Sequence, residues 1–128
     1  MSYASRLQRL GGWLIELVVV AVLLAVGLIL GGKSYFAGFV ISMTAIWLYF
    51  AGSESSRLQS TLSGRILGLR VTDLHGEPIS FNRATVRHFA MYLSALTPFA
   101  IGYLMALWTK RRQTLHDYIT STVVVKNG

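Results

Sequence analysis

Charge is almost absent from three long stretches of this chain, and that absence constrains the fold more than any other feature. Residues 10–30, 35–52 and 89–108 together hold 59 residues and one charged side chain, Glu16. The remaining 69 residues hold 16 charges, an ordinary soluble density. Against 13% charge and 53% hydrophobic content overall, a soluble enzyme with its own large core is excluded. The expectation is a small all-α membrane protein with short polar connections.

The first stretch, 21 residues, makes a helix of about 31 Å, enough to cross a bilayer. Arg6 and Arg9 precede it like the charged end of a signal peptide. The run is long for one and carries Glu16, so a retained helix is expected. Gly31-Gly32 ends it and Lys33 marks a tight loop. Residues 35–52 are near the lower length limit for a span, with Tyr35, Phe36, Trp47, Tyr49 and Phe50 placed near its ends like an aromatic belt. Together these two stretches predict a transmembrane helical hairpin.

The polar loop 53–88 begins with apolar residues at 58, 62, 66 and 69, which predicts a basic amphipathic helix over 58–69 at the membrane surface. Short alternating runs flank the turn-rich Asp73-Leu74-His75-Gly76-Glu77-Pro78, the pattern of a β-hairpin through residues 69–81. The β-branched Thr122-Val123-Val124-Val125 predicts a strand in the tail 109–128. That strand needs a partner, and the hairpin supplies one, which would put loop and tail on one side of the membrane.

Pro98 and Gly102 interrupt the third stretch, so a kink or break is expected there. Charge counting separates the topologies. Three full spans with the N-terminus inside leave seven basic residues inside and five outside. A third segment that dips in and returns, or lies in the interface, leaves eleven inside and only Lys33 outside, which fits the positive-inside rule far better. The whole of 1–128 reads as one domain, with the N-terminus, loop and tail cytoplasmic.

The net charge of +7 is accounted for by this topology, and no nucleic-acid recognition motif accompanies it. With no cysteine, disulfides, thiolate catalysis and cysteine metal sites are excluded. His75, His88 and His116 lack metal-ligand spacing, and no catalytic elbow, phosphate loop or dinucleotide fingerprint occurs. No cofactor, metal or enzymatic activity is expected.

Two sets of residues carry the candidate chemistry. A carboxylate at Glu16, inside an apolar stretch, must be neutral, paired or beside water. It is either a proton or cation site or one end of a fixed salt bridge to the tail or a loop arginine. Arg9 lies two helical turns away, about 10.5 Å along the axis, too far to be its sole partner. Thr114-Leu-His-Asp117 has capping-box spacing and predicts a short tail helix, with Asp117 also free to pair with Arg9 or a loop arginine. Arg65, Arg70, Arg83 and Arg87 form a basic set suited to anionic lipid headgroups, or else to an acidic partner protein. The pairs Gly27/Gly31 and Ala21/Ala25 permit close helix approach. Two or three helices cannot enclose much of a pathway, so any transport role implies a homo-oligomer.

These residues resemble those of the RDD family of membrane proteins. The middle run Glu54-Ser-Ser, Gln59-Ser-Thr-Leu-Ser-Gly-Arg65-Ile-Leu-Gly68-Leu-Arg70-Val and Pro78-Ile-Ser-Phe81 is similar to that family's. So is the ending Lys110-Arg-Arg-Gln-Thr-Leu-His116-Asp117-Tyr-Ile. Of the family's signature Arg and two Asp, Arg9 and Asp117 match, while Glu16 stands at the first Asp position and adds a methylene. Ser63-Gly64 replaces the usual Gly-Lys ahead of Arg65. The resemblance implies a small polytopic protein of the bacterial inner membrane, of a family for which cation/proton exchange has been proposed.

Overall fold

A computed structural model describes residues 2–127, the side chain of Pro98 excepted. Helix α1, Arg6–Leu30, starts four residues ahead of the apolar stretch because Ser5 and Gln8 form a reciprocal capping box. Helix α2, Tyr35–Glu54, starts at the Ser34 cap and runs two residues beyond the apolar stretch. Both are long and apolar enough to cross a membrane.

The two helices pack very closely, and the sequence shows why. A Cβ on Gly27 would sit 2.7 Å from the Ser42 backbone nitrogen, and one on Gly31 would sit 2.3 Å from that of Gly38. Ser42 Oγ donates to the Leu24 carbonyl at 2.9 Å, answering a buried hydroxyl within the hairpin. The Gly27/Gly31 pair thus brings together two helices of one chain.

The loop departs from expectation in two ways. The amphipathic helix is only α3, Leu62–Leu67. Gln59 takes a left-handed backbone (φ 54°) and prevents an earlier start, and Gly68 (φ 71°) ends the helix. The β-hairpin does not form. Strand β1, Leu69–Asp73, pairs antiparallel with β2, Thr122–Lys126, from Leu69 opposite Lys126 to Asp73 opposite Thr122. Asp73 Oδ1 accepts from the backbone of His75 and Glu77 and closes a turn, and these bonds hold its carboxyl below its ordinary pKa. Ser80 then caps helix α4, Phe81–Leu96, where a second hairpin strand was expected. The remaining edge of β2 is taken by the N-terminus: Ala4 N–H donates to the Val124 carbonyl and Lys126 N–H to that of Ser2. N-terminus, middle loop and tail therefore meet in one small β assembly.

The third apolar stretch does break. After Leu96 the backbone turns through Phe99 (φ 55°) and Ala100 (φ 53°), then forms α5, Ile101–Leu104, and a 3-10 turn to Leu107. The two apolar pieces meet at 113°. Gly102 allows the return, since a Cβ there would lie 2.6 Å from Ser94 Cα. Helix α6, Leu115–Thr120, carries the expected Thr114/Asp117 capping box.

Candidate functional site: a buried chain of four charges

Four charged side chains from four helices meet inside the molecule. Arg9 from the start of α1 places Nη2 2.9 Å from Asp117 Oδ2 on α6. Arg87 from α4 places Nη1 2.9 Å from Asp117 Oδ1 and Nε 3.0 Å from Glu54 Oε2 at the end of α2. Asp117 is fully buried, and the other three are nearly so. The order Arg9–Asp117–Arg87–Glu54 alternates in sign and sums to zero, which is how charges persist away from water.

Asp117 is the centre. Its Oδ2 also accepts from Thr114 N–H at 3.0 Å, so one carboxylate caps α6 and joins α1 to α4. Burial pushes its pKa up, but Arg9 and Arg87 outweigh burial and hold the group well below the ordinary carboxylate range. The two Arg87 contacts are close by distance, yet their N–H directions miss hydrogen-bond alignment. Arg9 Nε and Glu54 Oε1 are buried without a partner among the described residues.

Beside Asp117, His116 bridges Ser94 Oγ (2.9 Å from Nδ1) and Thr114 Oγ1 (3.0 Å from Nε2). Burial, reinforced by nearby Arg87, pushes its pKa well down, so it is neutral and ties the tail helix to α4.

Glu16 stands apart from this chain. Tyr49 Oη donates to its Oε2 at 2.8 Å, the Thr61 hydroxyl donates to Oε1, and Ser63 N–H donates to Oε1 at 3.3 Å. Tyr49 Oη in turn accepts from Leu62 N–H at 3.0 Å. The expected salt bridge from Glu16 to the tail or a loop arginine is not formed among the described residues. Its partners are neutral donors that fix the N-terminus of α3 onto α1 and α2.

The basic set divides. Arg65 is exposed. Arg70 reaches the Lys126 carbonyl, and Arg83 donates to the carbonyls of Thr120 and Ser121 at the end of α6. Arg87 is corrected: only 4% exposed, it belongs to the buried chain and not to a surface patch. Glu54 was missed as a site residue. It falls two residues past the apolar stretch, where an acid reads as ordinary loop polarity. The available signal was its helical offset of four from Phe50, which places it on the same inward face.

Arg9, Glu16, Glu54, Arg87, His88 and His116 all border one cavity of about 580 Å³ between α1, α2 and α4. Among the described residues no three His, Asp or Glu side chains are placed to hold a metal ion.

Among known proteins, the chain is 38% identical over 78 residues to the uncharacterized protein YxaI of Bacillus subtilis, covering 61% of this chain and 50% of that one. It is 35% identical over 81 residues to a proline-rich antigen homolog of Mycobacterium tuberculosis, covering 62% and 32%. It is 31% identical over 90 residues to the proline-rich antigen of Mycobacterium leprae, covering 70% and 35%. The chain thus spans half or less of the length of these relatives. No solved structure matches it. The RDD family model matches residues 3–121, which takes in Arg9, Glu16, Glu54, Arg87 and Asp117 together, and the chain belongs to the RDD family.

Proposed function

We propose that this protein is a multi-pass protein of the bacterial inner membrane that exchanges a monovalent cation for a proton as a homo-oligomer, with Glu16 as the carrier carboxylate. The observation that carries the reading is the set of partners around Glu16. Asp117 and Glu54 each face an arginine, whereas among the described residues Glu16 is met only by the hydroxyls of Tyr49 and Thr61 and by one amide. A carboxylate among hydroxyl oxygens, with no fixed positive charge, can be neutralised by a proton or by a hard cation. Glu16 is also only partly buried, which leaves it open to exchange. In this reading α1 and α2 span, the piece from α4 through α5 dips in and returns, and N-terminus, loop and tail lie in the cytoplasm.

The test is sodium-driven proton movement in vesicles reconstituted with the full chain. Wild type should show it, and Glu16→Gln should reduce it to the level of empty vesicles while retaining thermal stability close to wild type. Absence of flux in the wild type, or unchanged flux in Glu16→Gln, would sink the mechanism.

A second reading has its own observation. Arg9 and Asp117 are consumed in holding elements together, while Arg57, Arg65, Lys110 and Arg111 are exposed. This favours a non-enzymatic membrane scaffold that binds a partner protein or anionic lipid headgroups.

A further inference from the structure

The turn between the third apolar stretch and α6 carries three basic residues in a row, Lys110-Arg111-Arg112, and the fold gives them different tasks. Thr109 closes the turn. Its Oγ1 accepts from Gln113 N–H at 2.8 Å and donates to the Gln113 carbonyl at 3.0 Å. Arg112 takes a left-handed backbone (φ 51°), and its guanidinium reaches the carbonyls of Tyr3 and Ala4 at 3.4 and 3.2 Å. Tyr3 is itself bridged to Val125 of β2. The turn is therefore pinned to the N-terminal segment and the sheet, which leaves Lys110 and Arg111 exposed on a fixed support.

Those two side chains line a pocket of about 420 Å³ together with Tyr3, Gln113 and Tyr118. It shares no lining residue with the cavity that reaches Glu16. Gln113 is only 2% exposed and its Nε2 donates to the Thr122 carbonyl at 2.8 Å, so one wall is rigid. Among the described residues no acidic side chain lines the pocket, and neither Lys110 nor Arg111 forms an ion pair. The one acid of the tail, Asp117, is fully buried between Arg9 and Arg87. Two unanswered cations beside two phenol hydroxyls suit a phosphate, which accepts charge-assisted bonds from both kinds of donor. An ammonium group would find no carboxylate there.

The surroundings say what carries the phosphate. Trp108, two residues before Lys110, is 59% exposed at the end of the third apolar stretch, and Ile119, next to Tyr118, is exposed on α6. Exposed aromatic and apolar side chains beside cations are the make-up of a membrane interface, where acyl chains lie against the former and headgroups against the latter.

We infer that this pocket binds the headgroup phosphate of one anionic phospholipid of the amine-free class. Lys110 and Arg111 pair with the phosphate oxygens, and the hydroxyls of Tyr3 and Tyr118 donate to them. This deepens the scaffold reading above, and rests on it for the attraction to anionic lipid: a diffuse attraction becomes one lipid held at one place.

The experiment counts lipids retained by the full chain in native mass spectrometry from an uncharged detergent. Phosphatidylglycerol should be held at one per chain, about tenfold more tightly than phosphatidylethanolamine. Lys110→Gln combined with Arg111→Gln should weaken it about thirtyfold at an unchanged melting temperature, since each cation near a headgroup contributes about fivefold. Arg57→Gln combined with Arg65→Gln should leave it as in wild type. Arg111→Gln alone, with about a fivefold loss, serves if the double variant does not fold. Uptake of many lipids with no plateau at one would overturn the proposal. So would displacement of the lipid by millimolar inorganic phosphate, which would mark a site for the free ion. Undiminished binding in the folded Lys110/Arg111 variant, with loss in the Arg57/Arg65 variant, would overturn this site and leave the scaffold reading standing. A wild type with no preference for phosphatidylglycerol would overturn the site together with the lipid arm of that reading.

Discussion

At the scale of single residues, Asp117 does three jobs with two oxygens. It caps α6, pairs Arg9 and pairs Arg87. Replacing it with Asn leaves Arg9 without its partner and Arg87 with Glu54 alone, one surplus buried positive charge, and losing one partner of a buried pair typically costs about 3–5 kcal/mol. Asp117→Asn should therefore unfold at markedly lower denaturant, measured by tyrosine and tryptophan fluorescence in detergent. The pH dependence has a definite sign. A carboxyl held below its unfolded pKa of about 3.9 contributes fully above that value and loses its contribution as pH falls towards the folded pKa. Neutral His116 acts in the same direction from higher pH, because the unfolded imidazole takes up a proton below about 6.5 and the buried one does not. Wild type should thus lose stability from about pH 6 downward, and Asp117→Asn should lack the portion of that loss near pH 4.

The same residues show what sequence can reveal at this scale. Arg9 and Asp117 stood out as signature positions, and the capping spacing from Thr114 to Asp117 was visible. That Asp117 would take two arginines was not, because Arg87 looks like any other loop arginine until α4 turns it inward. Glu16 was conspicuous for its placement, but its partners come from residues 49, 61 and 63. The path of the chain between α2 and α3 brings them together, and no local pattern encodes that.

At the scale of elements, the α1–α2 hairpin depends on closeness. Gly27→Val adds bulk where even a Cβ would overlap the Ser42 backbone, so the helices must separate along their length. Overpacking of this kind costs about 1–3 kcal/mol or more. A substantial fall in melting temperature is expected, while Gly52→Ala, where nothing lies within 4 Å, should melt like wild type. The helices were legible because apolar length and glycine punctuation are local signals. The sheet was only half legible. β2 was evident from its β-branched run, and its pairing with the region of β1 was reasoned from necessity. The hairpin failed because Ser80 is a strong helix cap and Asp73 can satisfy the turn with its own side chain, so Ile79 turns into the core and the chain proceeds into α4.

At the scale of the whole molecule, residues 2–4, β1 and β2 lie side by side, so the three polar segments must share one compartment in any membrane arrangement that keeps the sheet intact. Reporter fusions at the N-terminus and at the C-terminus should both report the cytoplasmic side. A tail reporter on the far side would contradict both the sheet and the proposed topology. The break in the third stretch was legible from Pro98 and Gly102. The tightness of the return was not, since it rests on Gly102 meeting Ser94.

The alternating ion chain has a consequence for how such a molecule is made. Arg9, Glu54 and Arg87 leave the ribosome before Asp117, and until it arrives they carry one surplus positive charge that no burial can accommodate. Closure of the interior therefore waits on α6. The last of the four charges to be made is the one that lets the others be hidden.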